Sequence, residues 1–159
     1  MHISQPLPGQ FELKTRDTVV TIGPALAIGD YVLTGPGEYE VAGVMAEITP
    51  RMARFVVEDF RIGYLMPGLK KLADQELEQL GPVDLLFFSA GGDGLRAKEL
   101  VALVGAIEAP IAIPLLEDAA QVETFTADLP QAELVTSPFK LTRSQLPDEG
   151  YKIFVFHSG

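Results

Sequence analysis

Few residues of this 159-residue chain could do chemistry, and most of those are acidic. Two stand together in TGPGEYEVAGV, where Glu38 and Glu40 flank Tyr39 directly after Gly-Pro-Gly. With Asp84, Glu117 and Asp118 they could form a carboxylate set for a hard metal ion or for acid–base work. Glu117 follows an apolar run, where α/β folds often place functional groups. Yet 22 acidic residues on a domain of this size fall near one another by chance, and most charges stay solvated. Gly91, Gly92, Asp93 and Gly94 lie between an apolar run and a helical pattern, a place where backbone N–H groups could meet an anion. The Gly-Lys-Ser/Thr of a phosphate loop is missing and Asp93 would repel phosphate, which favours a tight turn with Asp93 as a helix cap. Ser89 has no Gly-x-Ser-x-Gly around it. The only histidines, His2 and His157, sit near the two ends, and His157 reads as a frayed tail residue. With no cysteine there is no thiolate zinc site, Cys nucleophile or disulfide.

These residues must be positioned by the elements around them. Up to about residue 65, FELK, TVVTI, YVL, EYEV, VMAEI, RFVVE and RIGYL are short β-rich runs between turn residues, so a β-meander is expected. Gly35-Pro36-Gly37-Glu38 fits a type II turn, with Pro second and Gly third, where φ is positive. The following strand then turns Tyr39 and Val41 to one face and Glu38 and Glu40 to the other. Beyond Pro67 helix and strand alternate. ADQELEQLGP reads as a short helix capped by Asp74 and ended by Gly81 and Pro82. VDLLFFS and PIAIPL are continuous apolar runs, the pattern of strands buried on both faces. LRAKELVALVGAIE sets Leu100, Leu103, Val104 and Ile107 on one helical stripe, and EDAAQVETFTADL predicts a third helix. AELVT and YKIFVF would close the sheet. One α/β domain spanning residues 1–159 is expected.

Composition narrows the function classes. Apolar residues are 47% and charged residues 21%, a globular balance. A mean hydropathy of +0.21 hints at apolar surface covered by self-association. The net charge of −10 disfavours binding to nucleic acid or to an anionic membrane. MHISQPLPGQF has neither a basic start nor a long apolar run, so no signal peptide is expected; no transmembrane run occurs, and a cytoplasmic location is the default.

The ordered series GPGEYEVAGV, FRIGYL, LADQELEQLGPVDLLFFSAGG, IEAPIAIPL and LPDEGYKIFVF resembles metallo-β-lactamase-fold proteins. More narrowly it resembles a bacterial branch of candidate metal-dependent hydrolases that carry a GPGEYEV segment. The resemblance runs from about Thr18 to Phe156 and implies a shortened αββα sandwich, two mixed sheets face to face with outer helices. It also implies metal ligands, and the corresponding positions lack them. No histidine occurs in GPALAIGDYVLT, where the His-x-His-x-Asp-His loop and its helix would fall, or in AEITPRMARF. The bridging Asp position falls on Pro67 in MPGLK, and the last His position falls on Leu116 in IPLLE. No cofactor is therefore expected. The leading expectation is a catalytically inactive protein acting through self-association, a dimer first, or through a protein partner. A residual hydrolase of a small ester, lactone or phosphoester using a relocated carboxylate metal site is one alternative, and a small-molecule sensor using the vacated cleft is another.

Overall fold

Side-chain alternation in the first strands builds one wall of a sandwich. In β1 (His2–Leu7), β2 (Gln10–Lys14) and β3 (Val19–Ile22), Ile3, Phe11, Leu13, Val20 and Ile22 point inward and are fully buried. Glu12, Lys14 and Thr21 take the opposite face, which no helix covers among the described residues. With β4 (Ala27–Ile28), β5 (Tyr31–Val32) and a short strand β13 (Phe139–Lys140), they form a six-stranded sheet in the order β13-β1-β2-β3-β4-β5. Every pairing in it is antiparallel, which suits a sheet with one face in water. This computed structural model describes residues 1–90 and 95–157.

The second wall begins with a meander: β6 (Gly37–Val41), β7 (Val44–Ile48), β8 (Met52–Val57) and β9 (Phe60–Leu65). Ala42 and Gly43 join β6 to β7 with φ of +50° and +80°. Positive φ at both central residues is the I′ geometry, whose twist matches that of the flanking strands. From β9 onward each strand runs parallel to its neighbour. β10 (Leu85–Ser89), β11 (Ile111–Leu115), β14 (Lys152–His157) and β12 (Glu133–Thr136) complete an eight-stranded sheet in the order β12-β14-β11-β10-β9-β8-β7-β6.

The core between the sheets is aromatic and aliphatic. Phe11 packs tilted on Phe87 at 5.2 Å and edge-on to Phe156 at 5.1 Å, bringing the two sheets together at their middles. A second apolar layer lies behind the eight-stranded sheet. There Leu86, Phe88, Ala112 and Val155 meet α1 (Asp74–Leu80), α2 (Ala97–Ile107) and α3 (Ala119–Asp128). The expected stripe of Leu100, Leu103, Val104 and Ile107 is the buried face of α2. β10 and β11 are covered on both sides, as their unbroken apolar runs require.

The two facing sheets and the outer helices match the expected sandwich, with two refinements. Among the described residues only the eight-stranded sheet is mixed, and the three α-helices lie on it. Two caps also differ from expectation. Ala73, not Asp74, precedes α1, and Glu76 at the third helical position accepts from its backbone N–H at 3.0 Å. α2 follows Arg96, whose N–H donates to Glu99 at 3.2 Å. A Glu one turn in can satisfy such an orphan donor without a capping side chain. Asp93, expected to cap α2, lies outside the described residues with Gly91, Gly92 and Gly94. β1, β4 and β13 are additional strands for which the sequence showed no signal.

Candidate functional site

Parallel strands place their following loops along one sheet end, and β9, β10 and β11 do so here. Leu65 pairs with Phe88, and Ser89 with Leu115, so Pro67, Ala90 and Leu116 follow at the same end. Ligand sites of α/β sheets collect outside such carboxyl ends. Pro67 is exposed and lines a cleft of about 400 Å³ with Gly23, Pro24, Gly35 and Pro36. Leu116 is 3% exposed and borders a second cleft of about 520 Å³, shared with Gln5, Asp118, Thr136, Ser137 and His157. Both volumes fall in the range of small-molecule sites.

Neither of the two positions that the resemblance aligns with metal ligands, Pro67 and Leu116, suits a metal. A proline ring and a leucine side chain offer no lone pair, whereas zinc requires imidazole, thiolate or carboxylate donors. Among the described residues no group of three or more His, Asp or Glu is arranged to hold a cation. The residues present therefore do not fit the hydrolytic metal centre that the fold suggests.

The five candidate carboxylates are dispersed. Glu38 and Glu40 are exposed on β6, the outermost strand of the sheet. Five strand spacings separate β6 from β11, roughly 24 Å from the loop that carries Glu117. Asp84 precedes β10 and so lies at the opposite sheet end from Ala90. Of the five, only Asp118 borders either cleft, and it caps α3, accepting from the Gln121 backbone N–H at 2.8 Å. The Glu117 N–H donates to the Gln121 side chain at 2.9 Å, and the Glu117 stem passes beside Gly9 in the β1–β2 turn. The gathering of these carboxylates into one site does not occur, because Glu38 and Glu40, Asp84, and Glu117 with Asp118 belong to three segments that the strand order sends to different ends and edges of the sheet.

Asp84 is instead part of an ion cluster that the sequence did not indicate. It is 5% exposed and accepts from the Arg61 backbone N–H at 2.8 Å. The Arg61 and Arg143 guanidinium groups lie 3.6 and 3.4 Å from its two oxygens. Arg143 also donates to the Asp59 carbonyl at 2.7 Å and stacks over Phe60, tying its 3-10 turn (Arg143–Gln145) to the sandwich. Burial alone would raise the Asp84 pKa, but the Arg61 N–H and then Arg143 outweigh it and hold the carboxyl below its ordinary value. Charge saturated in this way is structural.

His157 is no frayed tail. It ends β14, pairs with Thr136 and lines the larger cleft half-buried. The unbroken apolar run IFVF directly before it was its signal in sequence. His2 lies in β1, exposed and opposite Lys14 and Lys140, well removed from any carboxylate set. Ser89 ends β10 beside Leu115. The GPGEYEV segment departs from the expected turn. Gly37 has φ +150°, not the roughly +80° of a type II turn, and opens β6 directly after a bend at Gly35–Pro36. The Tyr39 hydroxyl donates back to the Gly35 carbonyl at 2.6 Å and closes the segment. Tyr39 and Val41 pack toward the core while Glu38 and Glu40 face away, as alternation predicted.

No protein-family model matches the chain, and no curated protein matches it in sequence. The fold is similar to that of a Thermotoga maritima protein described as a candidate Zn-dependent hydrolase of the metallo-β-lactamase superfamily. The TM-score is 0.79 at 20% identity, over 98% of each chain. The compact form is thus shared with that neighbour along its whole length. With two facing sheets, helices behind the mixed one and this full-length correspondence, the chain has the metallo-β-lactamase fold.

Proposed function

We propose that this protein uses the metallo-β-lactamase fold for binding and not for hydrolysis, associating with a second copy of itself or with a protein partner. Support comes from one observation: β9, β10 and β11 deliver their loops to one sheet end, and Pro67 and Leu116, the residues that the sequence resemblance aligns with two metal-ligand positions, follow two of those strands there without a donor atom in either side chain. Without a metal there is no low-pKa water and no Lewis acid to polarise a carbonyl or phosphoryl group. Nor does the separation of Glu38, Asp84 and Glu117 favour a relocated carboxylate centre.

The test is elemental analysis of protein purified without a chelator or affinity tag, together with assays on ester, lactone and phosphoester substrates. The expected result is substoichiometric zinc, manganese and iron and no turnover above background. Stoichiometric metal with hydrolysis that a chelator abolishes would overturn the proposal. A second reading, small-molecule sensing, is favoured by the 520 Å³ cleft, whose walls combine Phe156 and Val122 with Gln5, Thr136 and His157. Thermal-shift screening against metabolites addresses it.

A further inference from the structure

The longer of the sheet's two unpaired borders is β6, five residues against four in β12. The I′ turn at Ala42-Gly43 closes with a hydrogen bond between Val41 and Val44, and antiparallel ladders alternate from such a pair. Val41, Tyr39 and Gly37 therefore spend their backbone groups on β7. Glu38 and Glu40 turn theirs toward the open edge. The two residues able to receive another strand are thus both acidic and exposed, and among the described residues neither makes an ion pair.

That arrangement discriminates between occupants. A second copy pairing antiparallel must hydrogen-bond through the same two residues. It can oppose Glu38 to Glu38, Glu40 to Glu40, or Glu38 to Glu40. Every such register sets like charges directly across from each other, which is destabilising. A foreign strand carrying Lys or Arg at alternate positions has the reverse effect, since residues directly opposite share a face. Beside Glu38 a recess of about 140 Å³, bordered by Met45, Glu47 and Arg54, can take a side chain from the incoming strand. Met45 there is 58% exposed. Arg54 lies opposite Glu47 in the ladder, so the Glu38–Glu40 end of the face keeps the unbalanced negative charge.

We propose that β6 is a docking edge for an extended basic segment of a partner protein, added as a ninth strand, and that Glu38 and Glu40 select it while preventing self-pairing through this edge. The proposal rests on the binding reading above, yet it fails separately: metal-dependent turnover would overturn that reading and leave strand docking intact.

The probe is an acetylated, amidated peptide alternating Lys and Val, compared with one of equal length alternating Glu and Val. Only the lysine peptide is expected to bind, slowing hydrogen exchange at the Glu38 and Glu40 amides. The double variant Glu38→Gln/Glu40→Gln should weaken it roughly 2- to 30-fold and flatten its salt dependence. Glu40→Lys makes the edge self-complementary, with Glu38 facing Lys in both halves of a symmetric pair. Its mass in light scattering should be at least twice that of the wild-type protein. Equal binding of both peptides, no binding of the lysine peptide, or protection elsewhere in the chain would overturn the proposal; so would a Glu40→Lys variant that keeps the wild-type mass.

Discussion

Asp84 illustrates how one residue can look catalytic in sequence and be structural in space. An acidic residue just before a buried strand suggests a site, but its oxygens are occupied by the Arg61 N–H and two guanidinium groups. Because its folded pKa lies below the unfolded value, the ionised carboxylate stabilises the fold above the unfolded pKa. That contribution is lost as pH falls through the folded pKa, below the ordinary value of 3.8. Asp84→Ala should cost about 1–3 kcal/mol near neutrality, the arginines being half-exposed and able to find water. Denaturant titrations at neutral and strongly acidic pH measure this; the two proteins should converge at the acidic end. A loss that is the same at both pH values would mean that packing, not charge, is the cause.

At the scale of elements, β6 and its launching segment bear most on function. Gly37 at φ +150° is in a region nearly closed to side chains, although a Cβ there would meet only the Tyr39 ring at 3.8 Å. Gly37→Ala is therefore expected to destabilise by about 1–3 kcal/mol through backbone strain, without a steric clash. Glu40→Gln, on the exposed face, should change stability by less than about 0.5 kcal/mol. Chemical denaturation of the two variants separates them, and the reverse order would refute this account of the segment. The other sheet borders are protected by brevity: β5 and β13 have two residues each and β12 four. Only β6 is both longer and guarded by charge.

Viewed as a whole, the molecule combines a −10 charge with a sandwich whose one outer sheet face is polar and whose other is covered by helices. Its large exposed apolar residues, Leu7, Tyr31, Val32, Met45, Val101 and Leu134, are distributed over five elements. The proposed homodimer must therefore use a face other than β6. Size-exclusion chromatography with light scattering is expected to give twice the 17.2 kDa chain mass at micromolar concentration, unchanged by Glu40→Gln. A single-chain mass would remove self-association and leave partner binding. Among the described residues no helix is long and apolar enough to cross a membrane.

Periodicity by itself determined much of this protein. The stripe of α2, the two-sided burial of β10 and β11, and the opposed faces of Tyr39 and Glu40 follow from spacing, because burial acts on every residue of a strand or helix in turn. That Pro67 and Leu116 bring no metal donor was also legible, since side-chain chemistry is fixed by residue type. Position across the fold was not. Only the tertiary structure decided that Glu38, Asp84 and Glu117 lie at three separate places, and that His157 joins Thr136 at a cleft. It also decided that all three helices lie on one sheet. Those outcomes depend on strand order and on pairings between segments far apart in sequence, such as Asp84 with Arg143, for which no local pattern exists. The GPGEYEV segment combines both kinds of information: its alternation was readable, whereas its place on an unpaired sheet border depends on which strands the rest of the chain supplies.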